Sequence, residues 1–128
     1  MTCPTRGVVA RLMLAAVAPL LLGACIGGSP SCNALPTEIE LRLTATSLTP
    51  ADPAVCRDRS VTLFVSSEVE GVLHIHGYDA ELPAATITAG ETTELAFAAS
   101  RVGQFPIELH TDEDTQGVGV GVFTVHEP

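Results

Sequence analysis

Three histidines have the residue type and the spacing to bind a metal ion. His74 and His76 stand two residues apart in the segment VLHIHGYD. On a β-strand, residues at i and i+2 project from the same face, about 7 Å apart, which is a chelating geometry. With His110 and a carboxylate oxygen, for which Asp112 is the candidate, they form a ligand set that suits Cu(II) or Zn(II). The sequence therefore predicts a histidine metal site at the loop end of the fold.

The same residues also fit a domain that binds no metal. In that case His74 is a solvated or packed strand residue, and His76 hydrogen-bonds the backbone of the turn that follows it. His110 then simply ends a strand, and the acidic run Asp112-Glu113-Asp114 is a solvated loop. The sequence leaves two hypotheses open: a Cu(II) or Zn(II) binding module, or a metal-free module for protein interaction or structure.

No constellation in the sequence predicts catalysis. There is no Gly-x-Ser-x-Gly nucleophile elbow and no phosphate-binding glycine loop, since Gly117, Gly119 and Gly121 alternate with valines as on a closely packed strand. The chain has 6 basic and 15 acidic residues and a net charge of −9, which argues against binding nucleic acid through a basic face. We therefore expect a binding module with no catalytic residues and no nucleic-acid partner.

Alternating apolar and polar residues predict short β-strands from residue 37 onward. The pattern recurs at 39–43, 61–65, 73–75, 94–97, 105–109 and 118–122. Turn-forming pairs such as Glu70-Gly71 and Val102-Gly103 separate these segments, and no stretch shows helical spacing. About seven short strands predict an all-β fold, an antiparallel β-sandwich.

Two cysteines are expected to form a disulfide. Cys32 and Cys56 remain when Cys3 and Cys25 are assigned to the N-terminal segment discussed below. In an oxidising compartment pairing is the default, and the bridge would close a loop of about 25 residues and stabilise the fold by roughly 3–4 kcal/mol. A thiolate metal ligand is the alternative, although neither cysteine has a histidine near it in the sequence.

The N-terminal segment resembles a bacterial lipoprotein signal peptide. Arg6 and Arg11 precede an apolar stretch, 12–22, that is too short to span a bilayer core of about 30 Å. The sequence Leu22-Gly23-Ala24-Cys25 is similar to a lipobox. This resemblance implies that the chain is cleaved before Cys25 and that its sulfur is diacylated. An ordinary secretory signal with a chance cysteine is the alternative.

The same resemblance divides the chain and predicts its location. Residues 1–24 are the expected signal peptide, 25–36 the lipidated N-terminus and a short tether, and 37–128 the folded domain. Acyl chains on one cysteine give stable membrane attachment. Ile26, rather than an aspartate, follows that cysteine, which in Gram-negative lipoproteins of this type favours the outer membrane. We expect a lipid-anchored envelope protein, on the periplasmic side of the outer membrane if the organism is Gram-negative.

The order of motifs after residue 60 resembles the cupredoxin superfamily. The motifs are SVTLFVSSEVEGVLHIHGYD at 60–79, ITAGE at 87–91, LAF at 95–97 and GQFPIELH at 103–110. They are similar to periplasmic cupredoxin-like proteins with a His-Gly-Tyr-Asp strand end, and cytochrome oxidase subunit II has a similar His-Gly-aromatic sequence. The resemblance extends from Thr37 to Val125 and implies a Greek-key, cupredoxin-like β-sandwich.

The resemblance also indicates that the ligand set of a blue copper site is incomplete. His76 matches the first copper ligand of copper-carrying cupredoxins. Their loop motif Gly-x-aromatic-x-x-x-Cys begins here at Gly103 and places Leu109 at the thiolate position. Asp112 stands where a histidine ligand follows, and no methionine occurs after Met13. Type 1 copper is therefore disfavoured, no cofactor is certain, and copper or zinc bound through histidines remains the hypothesis.

Overall fold

The fold is a sandwich of two β-sheets, described by a computed structural model for Gly28 and residues 30–128. Its strands are β1 Glu38–Leu43, β2 Leu48–Thr49, β3 Ala54–Cys56, β4 Ser60–Ser67, β5 Gly71–Ile75, β6 Ala85–Ile87, β7 Thr92–Ala98, β8 Gly103–His110 and β9 Val118–His126. One sheet has the order β2-β1-β4-β7 and the other β3-β9-β8-β5-β6. The predicted all-β sandwich is confirmed. The signal peptide predicted at 1–24 and the lipidation site Cys25 lie outside the described residues.

Alternation along each strand explains why the two sheets pack face to face. In β4, Val61, Leu63 and Val65 are buried, while the residues between them are half-buried or exposed. Equivalent residues from both sheets join one core, which also contains Tyr78 and Phe123. Each large apolar side chain buried in this way stabilises the fold by about 1.5–3 kcal/mol.

Two strand pairs are parallel, in contrast to the purely antiparallel sandwich expected from the sequence. β1 pairs with β4 and β3 pairs with β9 in parallel, and the other pairs are antiparallel. Between β1 and β4 the chain crosses to the other sheet as β3, so it returns beside β1 in the same direction. The short strands β2, β3 and β6 have two or three residues each, too few to show an alternation. With the six alternating segments they make nine strands in the described part, against about seven expected.

The disulfide fixes the N-terminal segment to one end of the five-stranded sheet. Cys32 and Cys56 are bonded, with their Cα atoms 5.6 Å apart, as predicted. Cys56 ends β3 and lies beside His126, where β9 ends. The N-terminal segment and the C-terminus therefore leave the domain at the same end. Nothing in the described part of the chain forms a helix of the length and apolarity needed to cross a membrane.

Candidate functional site

His74 and His76 lie on the outer face of the five-stranded sheet. Leu73 and Ile75 of β5 point into the core, 3% and 1% exposed, so the histidines that alternate with them face outward. The prediction that the two imidazoles share one face is confirmed, and their ring centroids are 4.3 Å apart. Both side chains are partly open to solvent.

The neighbouring strand β8 adds a carboxylate and the third imidazole to this face. Ile107 and Leu109 are buried, so Glu108 and His110 point outward. The antiparallel register places Glu108 directly opposite His74, and side chains of such cross-strand pairs are close enough to interact. The structure therefore brings the three predicted histidines together on the outer face of the two central strands β5 and β8. His110 ends β8, where the loop to β9 begins.

Glu108 is the centre of this group, which we call the histidine cluster: His74, His76, Glu108 and His110. Glu108 Oε2 lies 2.6 Å from His76 Nε2 and 3.7 Å from His110 Nε2. The contact between Glu108 Oε2 and His76 Nε2 does not have the geometry of a hydrogen bond, and this nitrogen is shielded from solvent. This polar contact with His76 is the main cause that lowers the pKa of Glu108, and the charges of His76, His110 and His74 add to it.

The two outer imidazoles of the cluster have further partners. His74 Nε2 pairs with the carboxylate of Asp79, and this hydrogen bond lowers the pKa of Asp79. His110 Nδ1 lies 3.3 Å from the carbonyl oxygen of Thr115. Its ring packs on Gly117, where a Cβ atom would come within 2.6 Å of Cε1 and the backbone φ is +89°. Glycine is thus required at position 117 for the His110 ring to lie there.

The candidate oxygen ligand Asp112 lies on the exposed loop between β8 and β9. The carboxylate in contact with the imidazoles is instead Glu108, which the sequence analysis did not assign. A signal for it was present, because Glu108 precedes His110 by two residues and must share its face if 105–109 is a strand. The alternation along 105–109 did not predict that this strand lies beside β5, which is what brings Glu108 to His76.

The position that matches the thiolate ligand of cupredoxins belongs to the core. Leu109 is fully buried between the sheets, and the two cysteines of the described part, Cys32 and Cys56, are bonded to each other. Since type 1 copper is defined by a thiolate ligand, the described residues do not fit such a centre.

The cluster is not preassembled around a metal ion. Among Gly28 and residues 30–128, no three or more His, Cys, Asp or Glu side chains stand in a metal-binding arrangement. An imidazole nitrogen and a carboxylate oxygen that share a tetrahedral zinc ion lie roughly 3.3 Å apart, whereas His76 and Glu108 are 2.6 Å apart. A metal would have to replace this contact, with a movement of the half-buried Glu108 side chain.

Acid is expected to destabilise the domain partly through Glu108. Its pKa lies below the ordinary value of 4.5 in the folded chain. Folding therefore favours the ionised form of Glu108. The stabilisation that this carboxylate gives the folded chain is present above about pH 4.5, and it is lost as the pH falls through the lowered pKa. Between about pH 5.5 and pH 3.5, urea unfolding in metal-free buffer should show a smaller loss of unfolding free energy for Glu108→Gln than for the wild type.

The matched control for this pH dependence is Glu113→Gln, which changes an exposed acid outside the histidine cluster. This variant should keep the wild-type pH dependence. Equal pH dependence in the wild type and in Glu108→Gln would show that folding does not favour the ionised Glu108.

Comparison with solved structures identifies the fold. The chain is similar to a reduced auracyanin from the photosynthetic bacterium Roseiflexus castenholzii, with a TM-score of 0.55 and 17% identity over 72% of this chain and 98% of that one. It is also similar to a blue copper oxidase from Nitrosomonas europaea, with a TM-score of 0.55 and 17% identity over 70% of this chain and 38% of that one. A heme-copper terminal oxidase gives a TM-score of 0.55 and 15% identity over 70% of this chain and 65% of that one.

These likenesses concern the fold. The chain spans well under half of the length of the blue copper oxidase that it matches. No protein-family model and no curated protein sequence matches the chain. The two-sheet topology and the structural neighbours together show that the described part of the chain has a cupredoxin-like fold, as the resemblance of its sequence motifs predicted.

Proposed function

We propose that this chain is a lipid-anchored envelope protein whose cupredoxin-like domain binds Cu(II) or Zn(II) through His76, Glu108 and His110. The observation that carries the proposal is that both Nε2 atoms face the same oxygen of Glu108, at 2.6 and 3.7 Å. Imidazole nitrogen and carboxylate oxygen are suitable ligands for both metals. The side chains of the three residues are 31–44% exposed, but His76 Nε2 itself is shielded from solvent, so an ion reaches this nitrogen when the Glu108 side chain moves aside.

His74 is the remaining histidine of the predicted ligand set. Its ring lies against that of His76, but its Nε2 is held by Asp79. His74 can bind the metal ion only when the hydrogen bond between its Nε2 and Asp79 breaks. Asp79 thus orients the imidazole and competes with the metal for the same nitrogen.

The module binds a metal ion without the electron transfer of a blue copper protein. A site of imidazole and carboxylate groups on an open sheet face lacks the thiolate and the enclosed position of such a centre. It would hold the ion for storage or delivery, with no catalytic step. The lipobox-like sequence before Cys25 supports membrane attachment, and the disulfide Cys32–Cys56 fits an oxidising compartment.

Titration of the purified full chain with Cu(II) tests the proposal. We expect binding of about one equivalent without a strong absorption band near 600 nm, because the ligands are nitrogen and oxygen. In nuclear magnetic resonance spectra, Zn(II) should shift the ring nitrogens of His76 and His110 and leave those of His126 in place. Binding that is not stoichiometric, or that shifts all histidines alike, would reject the site.

The second candidate function is a metal-free interaction module. It is favoured by the partners that two of the imidazoles already have, since His74 pairs with Asp79 and His76 contacts Glu108. In this case the histidine cluster is a polar surface patch stabilised by the contacts between imidazole and carboxylate groups. The same titration separates the two functions, because this module takes up no stoichiometric metal.

A further inference from the structure

A groove lies at the end of the sandwich where β5 begins and β8 ends. It has a volume of about 650 Å³ and opens to solvent. The turns before β2 and β5 and the loop between β8 and β9 form its walls. Apolar side chains in its lining include Val69, Val72 and Ala89, and Val72 is a large hydrophobic residue left 38% exposed. An exposed apolar surface inside a concave site is typical of binding sites.

Acidic side chains surround this apolar surface. The lining includes Glu68, Glu70, Asp112 and Glu113 and contains no lysine or arginine. Arg42 pairs with Glu68 from outside the groove, at 3.5 Å. Carboxylates on both walls of a concave surface reinforce each other's field, so the groove attracts cationic groups.

Both walls of the groove are held by local hydrogen bonds. Ser67 Oγ donates to the carbonyl of Val69 at 2.6 Å and accepts its N–H at 3.1 Å. On the opposite wall, the N–H of Asp114 donates to Thr111 Oγ1 at 3.1 Å. A groove whose walls are already ordered binds an extended segment at a lower entropic cost than a groove made of flexible loops.

The groove faces away from the place where the N-terminal segment leaves the domain. β9 begins at Val118, beside the groove, and ends at His126, beside the disulfide. Its nine residues span about 26 Å. A lipid anchor that precedes Cys32 would therefore hold the opposite end of the domain near the membrane and leave the groove open to other proteins.

We propose that this groove binds an extended segment of a partner protein that carries arginine or lysine together with apolar side chains. Charge complementarity selects this occupant over anionic lipid or a second copy, because copies of a chain with a net charge of −9 repel each other. The apolar surface around Val72 binds the aliphatic side chains, and the acidic residues bind the cationic ones. His110 of the proposed metal site also lines the groove, so the test is done in metal-free buffer, where peptide binding is measured separately from metal binding.

The test uses the full chain and a defined peptide. The probe is a fluorescent peptide of about nine residues that alternates valine and arginine, a pattern that suits an extended segment in a groove. Fluorescence anisotropy at low salt should show saturable binding that weakens in about 0.5 M salt. Amide chemical shifts should change at 68–72 and 111–115. A peptide with glutamate in place of arginine should not bind.

Two matched double variants locate the site. Glu70→Gln with Glu113→Gln removes two charges of the groove and should weaken peptide binding by about fivefold or more. Glu38→Gln with Glu40→Gln removes two exposed charges from β1, on the other sheet, and should leave the affinity unchanged. Equal losses in both variants, shifts outside the groove, or equal binding of the glutamate peptide would overturn the proposal. Self-association that depends on the groove charges would assign the surface to a second copy and would also overturn it.

Discussion

Replacing His76 and His110 together with alanine is expected to weaken Cu(II) binding by about a hundredfold or more, equivalent to about 2.7 kcal/mol. In the proposed site both imidazole nitrogens are ligands, and Glu108 alone cannot replace them. Competition with a chelator of known affinity measures the change. Both side chains are partly exposed on the outer face of the sheet, so the thermal unfolding midpoint of the metal-free variant should stay close to that of the wild type.

The matched control for this experiment is His126→Ala. His126 lies at the end of β9, beside Cys56, whereas Glu108 of the cluster pairs with Gly119 near the beginning of that strand. The His126→Ala variant should bind Cu(II) as the wild type does. If His76→Ala, His110→Ala retains the wild-type affinity, or if His126→Ala loses as much, the ion binds elsewhere and the proposed ligand set is wrong.

Truncating Leu109 to alanine is expected to lower the free energy of unfolding by about 2–5 kcal/mol. Leu109 is fully buried between the two sheets, and its removal leaves a cavity that the surrounding strands cannot fill. Urea unfolding of the oxidised chain, followed by circular dichroism, measures the change. The expected loss is a large part of the stability of a small domain.

Val102→Ala is the control for Leu109→Ala. Val102 is 41% exposed, and its truncation should change the unfolding free energy by no more than about 0.5 kcal/mol. A loss below about 1 kcal/mol for Leu109→Ala would mean that this position is not part of a packed core.

Local sequence patterns were sufficient to predict the longer strands, the faces of their side chains and the disulfide. Alternation at 73–75 predicted that His74 and His76 share a face, and the burial of Leu73 and Ile75 confirms it. The two cysteines predicted to pair are bonded. The short strands β2, β3 and β6 were not predicted, because two or three residues cannot show a period of two.

The composition of the histidine cluster was only partly predictable. The three histidines were identified from their type and spacing, whereas the central carboxylate was not. Glu108 reaches His76 because β5 and β8 are neighbours, although they are separated by β6 and β7 in the sequence. Asp112 was chosen because it is close to His110 along the chain, but the structure places it on a loop that lines the groove.

The sequence by itself determined which side chains of each strand point inward, because that depends only on the two-residue repeat of an extended chain. It also determined that Leu109, and not a cysteine, stands at the position that the resemblance to cupredoxins matches with their thiolate ligand. Only the tertiary structure decided that Glu108 joins His76 and His110, and that acidic residues of two separate turns border one groove. Strand order and register depend on long-range packing of two whole sheets, and no local pattern in the chain encodes them.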